Sequence, residues 1–260
     1  MKVAVLTENT TSCDFPVEHG LSLYIETKLH KILFDTGQSS LFLENAKRLG
    51  IDIGEVDICV LSHGHYDHGG GLKTFLENNS KANIYVNPYV FETHLHGPKN
   101  IGIDPSLENN ERFIKVPKDT VLDEELSIVS FFEQPMKYSV YANGLSTVRN
   151  GIEMPEDFRH EQYLMIQDNN RKICISGCSH KGILNIMDRI HPDILIGGFH
   201  LMGLDPEKDS DKLDRYSQGL SAYNTMYYTC HCTSIGPYEY LKKTMKLRLD
   251  YLSTGRVVEI

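Results

Sequence analysis

Short apolar runs alternate along this chain with stretches of helical period. Residues 2–6, 21–26 and 31–34 have the compact apolar character of buried strands. Over 38–49, Leu41, Phe42, Ala46 and Leu49 recur at helical spacing, and Gly50 follows as a stop signal. A buried strand is predicted over 56–61, a helix over 72–79 and a strand over 83–86. Asn87-Pro88 has the form of an N-cap with proline at the first helical position, which predicts a short helix through His94.

From about 96 to 159 the pattern loosens. Gly97-Pro98, Asp104-Pro105, Val116-Pro117, Gln134-Pro135 and Met154-Pro155 punctuate it, with strands such as 127–131 between them. The stretch reads as mixed sheet with a loop-rich cover over a site. The strand and helix theme then returns. Strands at 162–167 and 172–176 flank the turn signal Asp168-Asn169-Asn170. A helix over 181–190, a strand over 193–196, a polar helix over 206–216 and a strand over 226–230 follow. Gly236-Pro237 opens a helix to 246, and 247–252 closes the sheet. The expected organisation is one α/β domain over 1–260, built of two similar halves at about 1–150 and 151–260.

Composition narrows the class. The 260 residues are 40% hydrophobic, enough for a globular core. No apolar run approaches the ~18 residues that cross a membrane. The N-terminal residues turn acidic too quickly for a signal peptide, so a cytoplasmic location is expected. A formal charge of -9 argues against general affinity for nucleic acid. It leaves room for a small anionic substrate, because a metal site supplies its own positive charge. The six cysteines form no CxxC pair. Cys59 and Cys174 lie in apolar runs. Cys178, Cys230 and Cys232 flank histidines, where small apolar filling is favoured over ligation.

The chemistry concentrates in His63-Gly64-His65-Tyr66-Asp67-His68-Gly69-Gly70-Gly71, directly after the strand predicted at 56–61. Imidazole nitrogen and carboxylate oxygen are the donors that zinc, manganese and iron accept. Residues two apart in an extended segment point the same way, so His63 and His65 can share one ion. Asp67 and His68 face differently and suit a second. His180, His200 and His231 also follow predicted strands. Ligands gather beyond the carboxyl ends of strands in open α/β sheets.

With these motifs the chain resembles the metallo-β-lactamase superfamily, whose mark is HxHxDH. Glu8-Asn9-Thr10-Thr11, Glu18-His19-Gly20-Leu21-Ser22, Leu33-Phe34-Asp35-Thr36-Gly37, Gly177-Cys178-Ser179-His180, Gly197-Gly198-Phe199-His200-Leu201 and His231-Cys232-Thr233 resemble one branch of it. That branch is named for 7,8-dihydropterin-6-methyl-4-(β-D-ribofuranosyl)aminobenzene 5′-phosphate synthase. The resemblance implies a four-layer αβ/βα sandwich (the metallo-β-lactamase fold) and two divalent ions, zinc first, with manganese or iron as alternatives. It places His63, His65 and His180 on one ion and Asp67, His68 and His231 on the other. The superfamily's bridging aspartate has no counterpart after strand 193–196, where Gly197-Gly198-Phe199-His200 stands. His200 is then either a replacement ligand or a substrate contact.

Other residues carry weaker signals. His94-Leu95-His96 sits at a predicted helix end, where residues two apart diverge, and reads as an exposed end or lid. His30, His160 and His191 have no motif context and read as surface residues. His19 is open to a substrate contact, a hydrogen bond to a metal ligand, or a purely structural bond. A helix beginning at Lys181 would offer N–H groups to a phosphate, with Lys181 adding charge; an ordinary tight turn is the equal alternative.

Two such ions lower the pKa of bound water to ~7 and stabilise developing oxyanion charge. Asp67 is the candidate catalytic residue that orients the water. The expected activity is metal-dependent hydrolysis of a small molecule carrying a phosphoryl or acyl group. Two alternatives stand: a transferase joining a dihydropterin-methyl diphosphate to a ribofuranosylaminobenzene 5′-phosphate, and a non-catalytic metal or metabolite sensor.

Overall fold

A computed structural model describes residues 1–131 and 135–260. Two seven-stranded sheets pack face to face. The first runs, edge to edge, Val257–Glu259, Lys2–Thr7, Ser22–Glu26, Lys31–Phe34, Ile58–Val60, Asn83–Val86 and Phe113–Lys115. The second runs Leu249–Tyr251, Met226–Thr229, Ile194–Gly197, Arg171–Ile175, Tyr163–Asp168, Leu126–Val129 and Thr120–Val121. Each sheet is part antiparallel and part parallel.

Strand alternation explains the layering. Ile32 and Phe34 point into the space between the sheets with Ile58, Val60, Ile173 and Ile175. Leu33 and Cys59 point the other way, onto Phe42 and Ala46 of helix Leu41–Arg48 and Phe75 of helix Leu72–Asn78. The outer face of the second sheet, through Cys174, Leu195 and Tyr227, packs on helices Ile183–Ile190, Ser210–Ser221 and Ile235–Met245. A strand buried on both faces shows a continuous apolar run, which is why these segments read so clearly. The result is a four-layer αβ/βα sandwich.

Most predicted elements recur with shifted ends. The helix expected over 87–94 does not form. Asn87 Oδ1 accepts the Tyr89 N–H in a turn, and Thr93–His96 is a strand pairing antiparallel with Leu145–Arg149. The N-cap signature belongs to a turn that uses the same Asn chemistry. This strand anchors a small four-stranded sheet with Lys99–Asn100 and Ile152–Pro155. The polar helix begins at Ser210 rather than 206, because Asp205 closes the preceding turn by accepting from Glu207 and Lys208. Gln134 of the Gln134-Pro135 signal lies outside the described residues. No helix among them is long and apolar enough to cross a membrane.

Candidate metal centre

The histidines converge at one edge of the sandwich, beyond the carboxyl ends of strands from both sheets. Ile58–Val60 leads to His63, Arg171–Ile175 to His180, Ile194–Gly197 to His200 and Met226–Thr229 to His231. His63, His65 and His180 bring donor atoms within 4.8 Å of one another. Asp67 Oδ2 lies 3.5 Å from His231 Nε2 and 3.8 Å from His68 Nε2. The six expected ligands are thus assembled into two adjoining sets.

Hydrogen bonds fix which nitrogen each ring presents. Asp35, at the end of Lys31–Phe34, accepts from His68 Nδ1–H at 2.6 Å and from the Ser62 hydroxyl at 2.7 Å. The Ser62 proton is spent on Asp35, so His63 Nδ1–H donates to Ser62 Oγ at 2.8 Å. Asn9 Oδ1 accepts from His231 Nδ1–H at 2.7 Å. His63, His68 and His231 therefore all turn Nε2 toward the centre. Carboxylate or carbonyl partners on the far nitrogen are what metal-bound histidines use.

Several of these donors have no partner. His63 Nε2, His65 Nε2 and both ring nitrogens of His180 are buried without a hydrogen bond to any of the described residues. His180 is held by stacking on Phe158, with centroids 4.6 Å apart. Buried polar atoms ordinarily find partners, so an array of orphaned imidazole nitrogens fits a cation. His68 Nε2 and His231 Nε2 face each other at 3.2 Å, which demands a proton or a cation between them.

The electrostatics agree with that reading. Burial holds His63 and His180 well below the usual imidazole range, with neighbouring imidazoles adding to the effect. Burial also lowers His65 to about 3 and His231 to about 4, against the pull of Asp67. These rings are neutral and ready to ligate at pH 7. For Asp67, burial is outweighed by His68, His19 and His231, and the carboxyl stays well below its usual range. His68 is the exception. Burial lowers it, but Asp35 and Asp67 win and raise it to about 9, so it carries the proton when no cation is there.

The remaining predicted residues take distinct places. Asn9 Nδ2–H donates to His19 Nδ1 at 3.1 Å, which leaves His19 Nε2–H to donate to Asp67 Oδ2 at 3.2 Å. His19 is thereby a hydrogen-bond support of Asp67. The His200 ring lies 4.3 Å from that of His180 and is partly exposed, in a left-handed backbone with φ 53. It joins none of the convergent donor sets found among the described residues.

Lys181 corrects the expectation of a charge facing a substrate. Its ammonium is buried and donates to the carbonyls of Ser130 and Glu161 at 2.6 and 2.9 Å. The helix begins at Ile183, and the N–H groups of His180 and Lys181 are already taken by the Glu161 carboxylate at 2.7 and 2.9 Å. An internal carboxylate fills the place foreseen for a phosphate.

His94 and His160 are also corrections. Neither is a surface residue; both are fully buried behind His65. Their rings stack at 3.9 Å, and His94 Nδ1–H donates to Glu156 Oε2 at 2.7 Å. His160 Nδ1 accepts the Gly64 N–H at 2.8 Å, so its Nε2 carries the proton. That nitrogen has no hydrogen-bond partner among the described residues, and His94, Glu156 and His160 form a further convergent set of donor atoms with His65, behind it. Gly64 is required there: a Cβ would meet the Val90 carbonyl at 2.2 Å. His30 is half-buried between Asp57 and Asp123, whereas His191 is exposed as expected.

Of the residues the sequence left unassigned, Asp35 had a local signal: an acid placed directly after an apolar run. Glu156 and Glu161 had none.

The sequence model described as the metallo-beta-lactamase superfamily matches residues 16–138. An uncharacterized protein, MJ0448, of Methanocaldococcus jannaschii is 28% identical over 268 residues, covering 99% of this chain and 100% of that one. The 7,8-dihydropterin-6-methyl-4-(beta-D-ribofuranosyl)-aminobenzene-5'-phosphate synthase of the same organism is 26% identical over 289 residues, covering 100% of this chain and 96% of that one. The crystal structure of Tm1679, described as a metal-dependent hydrolase of the beta-lactamase superfamily, is similar with a TM-score of 0.85 and 26% identity, over 100% of this chain and 99% of that one. With its HxHxDH run in the matched segment and its sandwich shared end to end with a structure of that superfamily, this chain has the metallo-β-lactamase fold and is similar to members of that superfamily.

Proposed function

We propose that the protein is a metal-dependent enzyme that attacks a phosphoryl or acyl group of a small molecule with water. The observation that carries this is the preset array: three Nε2 atoms fixed by Asp35, Ser62 and Asn9, and orphaned nitrogens on His65 and His180. His63, His65 and His180 would hold one divalent ion; Asp67, His68 and His231 would hold a second. Bound ions supply Lewis acidity, which acidifies water and offsets negative charge developing on oxygen.

The chain's own groups do the rest. Asp67 is ionised and pinned by His19, so it can accept a hydrogen bond from attacking water and orient it. His200, partly exposed beside His180, is the residue we assign to substrate contact. Burial of the His63 and His68 rings excludes solvent from the far side of the centre.

A second reading is favoured by the full-length similarity to the dihydropterin synthase. Here an aromatic acceptor, rather than water, would take the pterin-methyl group of a pterin-methyl diphosphate, releasing diphosphate and a proton. One experiment separates the two. The purified protein is expected to carry about two equivalents of zinc, manganese or iron, and to turn over some member of a panel of phosphoesters, lactones and pterin-methyl diphosphate with its acceptor. Finding no metal after gentle purification would overturn the proposal. Product formation that requires the acceptor would select the transferase.

A further inference from the structure

The second donor set has Asp67 but lacks the bridging acid that the superfamily resemblance expects after strand Ile194–Gly197, and the packing there leaves no room for one. After strand Ile194–Gly197 the chain passes Gly198, where a Cβ would lie 2.3 Å from Cys232 Sγ and 3.0 Å from the Gly177 carbonyl. Phe199 is committed to the core beneath the second sheet, and His200 turns toward His180. Sulfur fills the space beside Gly198.

We propose that the Cys178 thiolate is a ligand of the second ion, beside Asp67, His68 and His231. This rests on the two-ion reading above. Cys178 Sγ lies 3.2 Å from His68 Nε2. It shares one convergent donor set with His63 and His68 and another with His231 and Cys232, each within 4.8 Å. It is the cysteine common to both sets, so its sulfur lies among donors assigned to the second ion, His68 and His231, and beside His63 of the first.

The turn that carries it is rigid. Ser179 has φ +60, and its hydroxyl donates to the Gly198 carbonyl at 2.6 Å, while Ser176 Oγ stands 2.8 Å away. The same turn delivers His180, so one short segment would serve both sites.

Cys232 is a poorer candidate. Its Sγ–H donates to the Cys178 carbonyl at 3.4 Å, and its sulfur accepts the His200 N–H at 3.3 Å. Cys230 belongs to the apolar core. On loading, the Cys178 sulfur–metal bond forms, the S–H bond breaks, and the proton leaves to solvent. The borderline-soft zinc ion accepts such a mixed sulfur, nitrogen and oxygen set.

The test is X-ray absorption on the full-length protein loaded with zinc, with metal counted by mass spectrometry and cobalt spectra alongside. The wild type is expected to bind two equivalents and show a sulfur neighbour at about 2.3 Å. The cobalt form should show a thiolate-to-metal charge-transfer band. Cys178→Ser should lose the sulfur neighbour and weaken the second equivalent by about 10-fold or more. Cys178→Asp should restore the second equivalent without sulfur. Cys232→Ser should keep the sulfur signal.

Two ions bound in the wild type with no sulfur neighbour would overturn this inference while leaving the proposed function standing. Loss of sulfur in Cys232→Ser but not in Cys178→Ser would overturn the assignment to Cys178. Failure to bind metal at all would remove both the inference and the function it rests on. The wild-type spectrum decides the main point even if a variant fails to fold.

Discussion

Asp35 shows how much chemistry one residue outside the ligand set can control. Its carboxylate accepts from His68 directly, from the Ser62 hydroxyl and from the Ser62 amide. Through Ser62 it also sets the tautomer of His63. One buried group therefore orients a donor in each proposed metal set. Asp35→Asn is expected to weaken binding of both ions by about 10–100-fold, measured by competition with a chromophoric chelator. Unchanged affinity would show that the rings hold their orientation by packing alone. His63, His65, Asp67 and His68 are legible as candidates because they fall in one short run. Asp35 is legible as an oddity and not as a role, since its partner His68 is brought to it by the fold.

Elements decide the rest, and the turn after Arg171–Ile175 is the clearest case. Glu161 precedes strand Tyr163–Asp168, yet its carboxylate holds the amides of His180 and Lys181 on the neighbouring strand's exit. A Gln there would present an NH2 group to an amide that needs an acceptor. Glu161→Gln is expected to release His180 and cost the first equivalent of metal while sparing the second. Metal counting with the His231 proton resonance as a marker of the second set would check this. Equal loss of both equivalents would mean that the turn serves the whole centre. Strands buried on both faces declare themselves as apolar runs, so the sandwich is legible. The Thr93–His96 strand is not, because its pairing with Leu145–Arg149 is a distant contact and Asn87-Pro88 offers a local decoy. That misreading placed His94 outside the protein, when it lies against Glu156 and His160 behind His65.

At the scale of the whole molecule, the buried imidazoles set the response to pH. His65 at about 3 and His231 at about 4 stay neutral in the folded, metal-free protein, and burial holds His63, His160 and His180 low as well. Unfolded, each binds a proton near pH 6.5. Between about 4 and 6.5 the unfolded state binds more protons, so stability falls as pH falls, by about 1.4 kcal/mol per pH unit for each such group. His68, raised to about 9, acts oppositely: its contribution is complete below about 6.5 and is lost as pH rises through 9. Chelated protein unfolded in urea is expected to be most stable near pH 7 and weaker at both pH 5 and pH 9. A midpoint still rising at pH 9 would contradict the placement of His68 against Asp35. The centre also joins distant parts of the chain. Asn9 meets His231, Glu8 takes the His231 amide and bonds Thr254, and His68 faces His231. Contacts of such sequence separation close late and slowly. Metal uptake during refolding should therefore lag behind the formation of secondary structure, which makes a bound ion a timestamp for completed assembly.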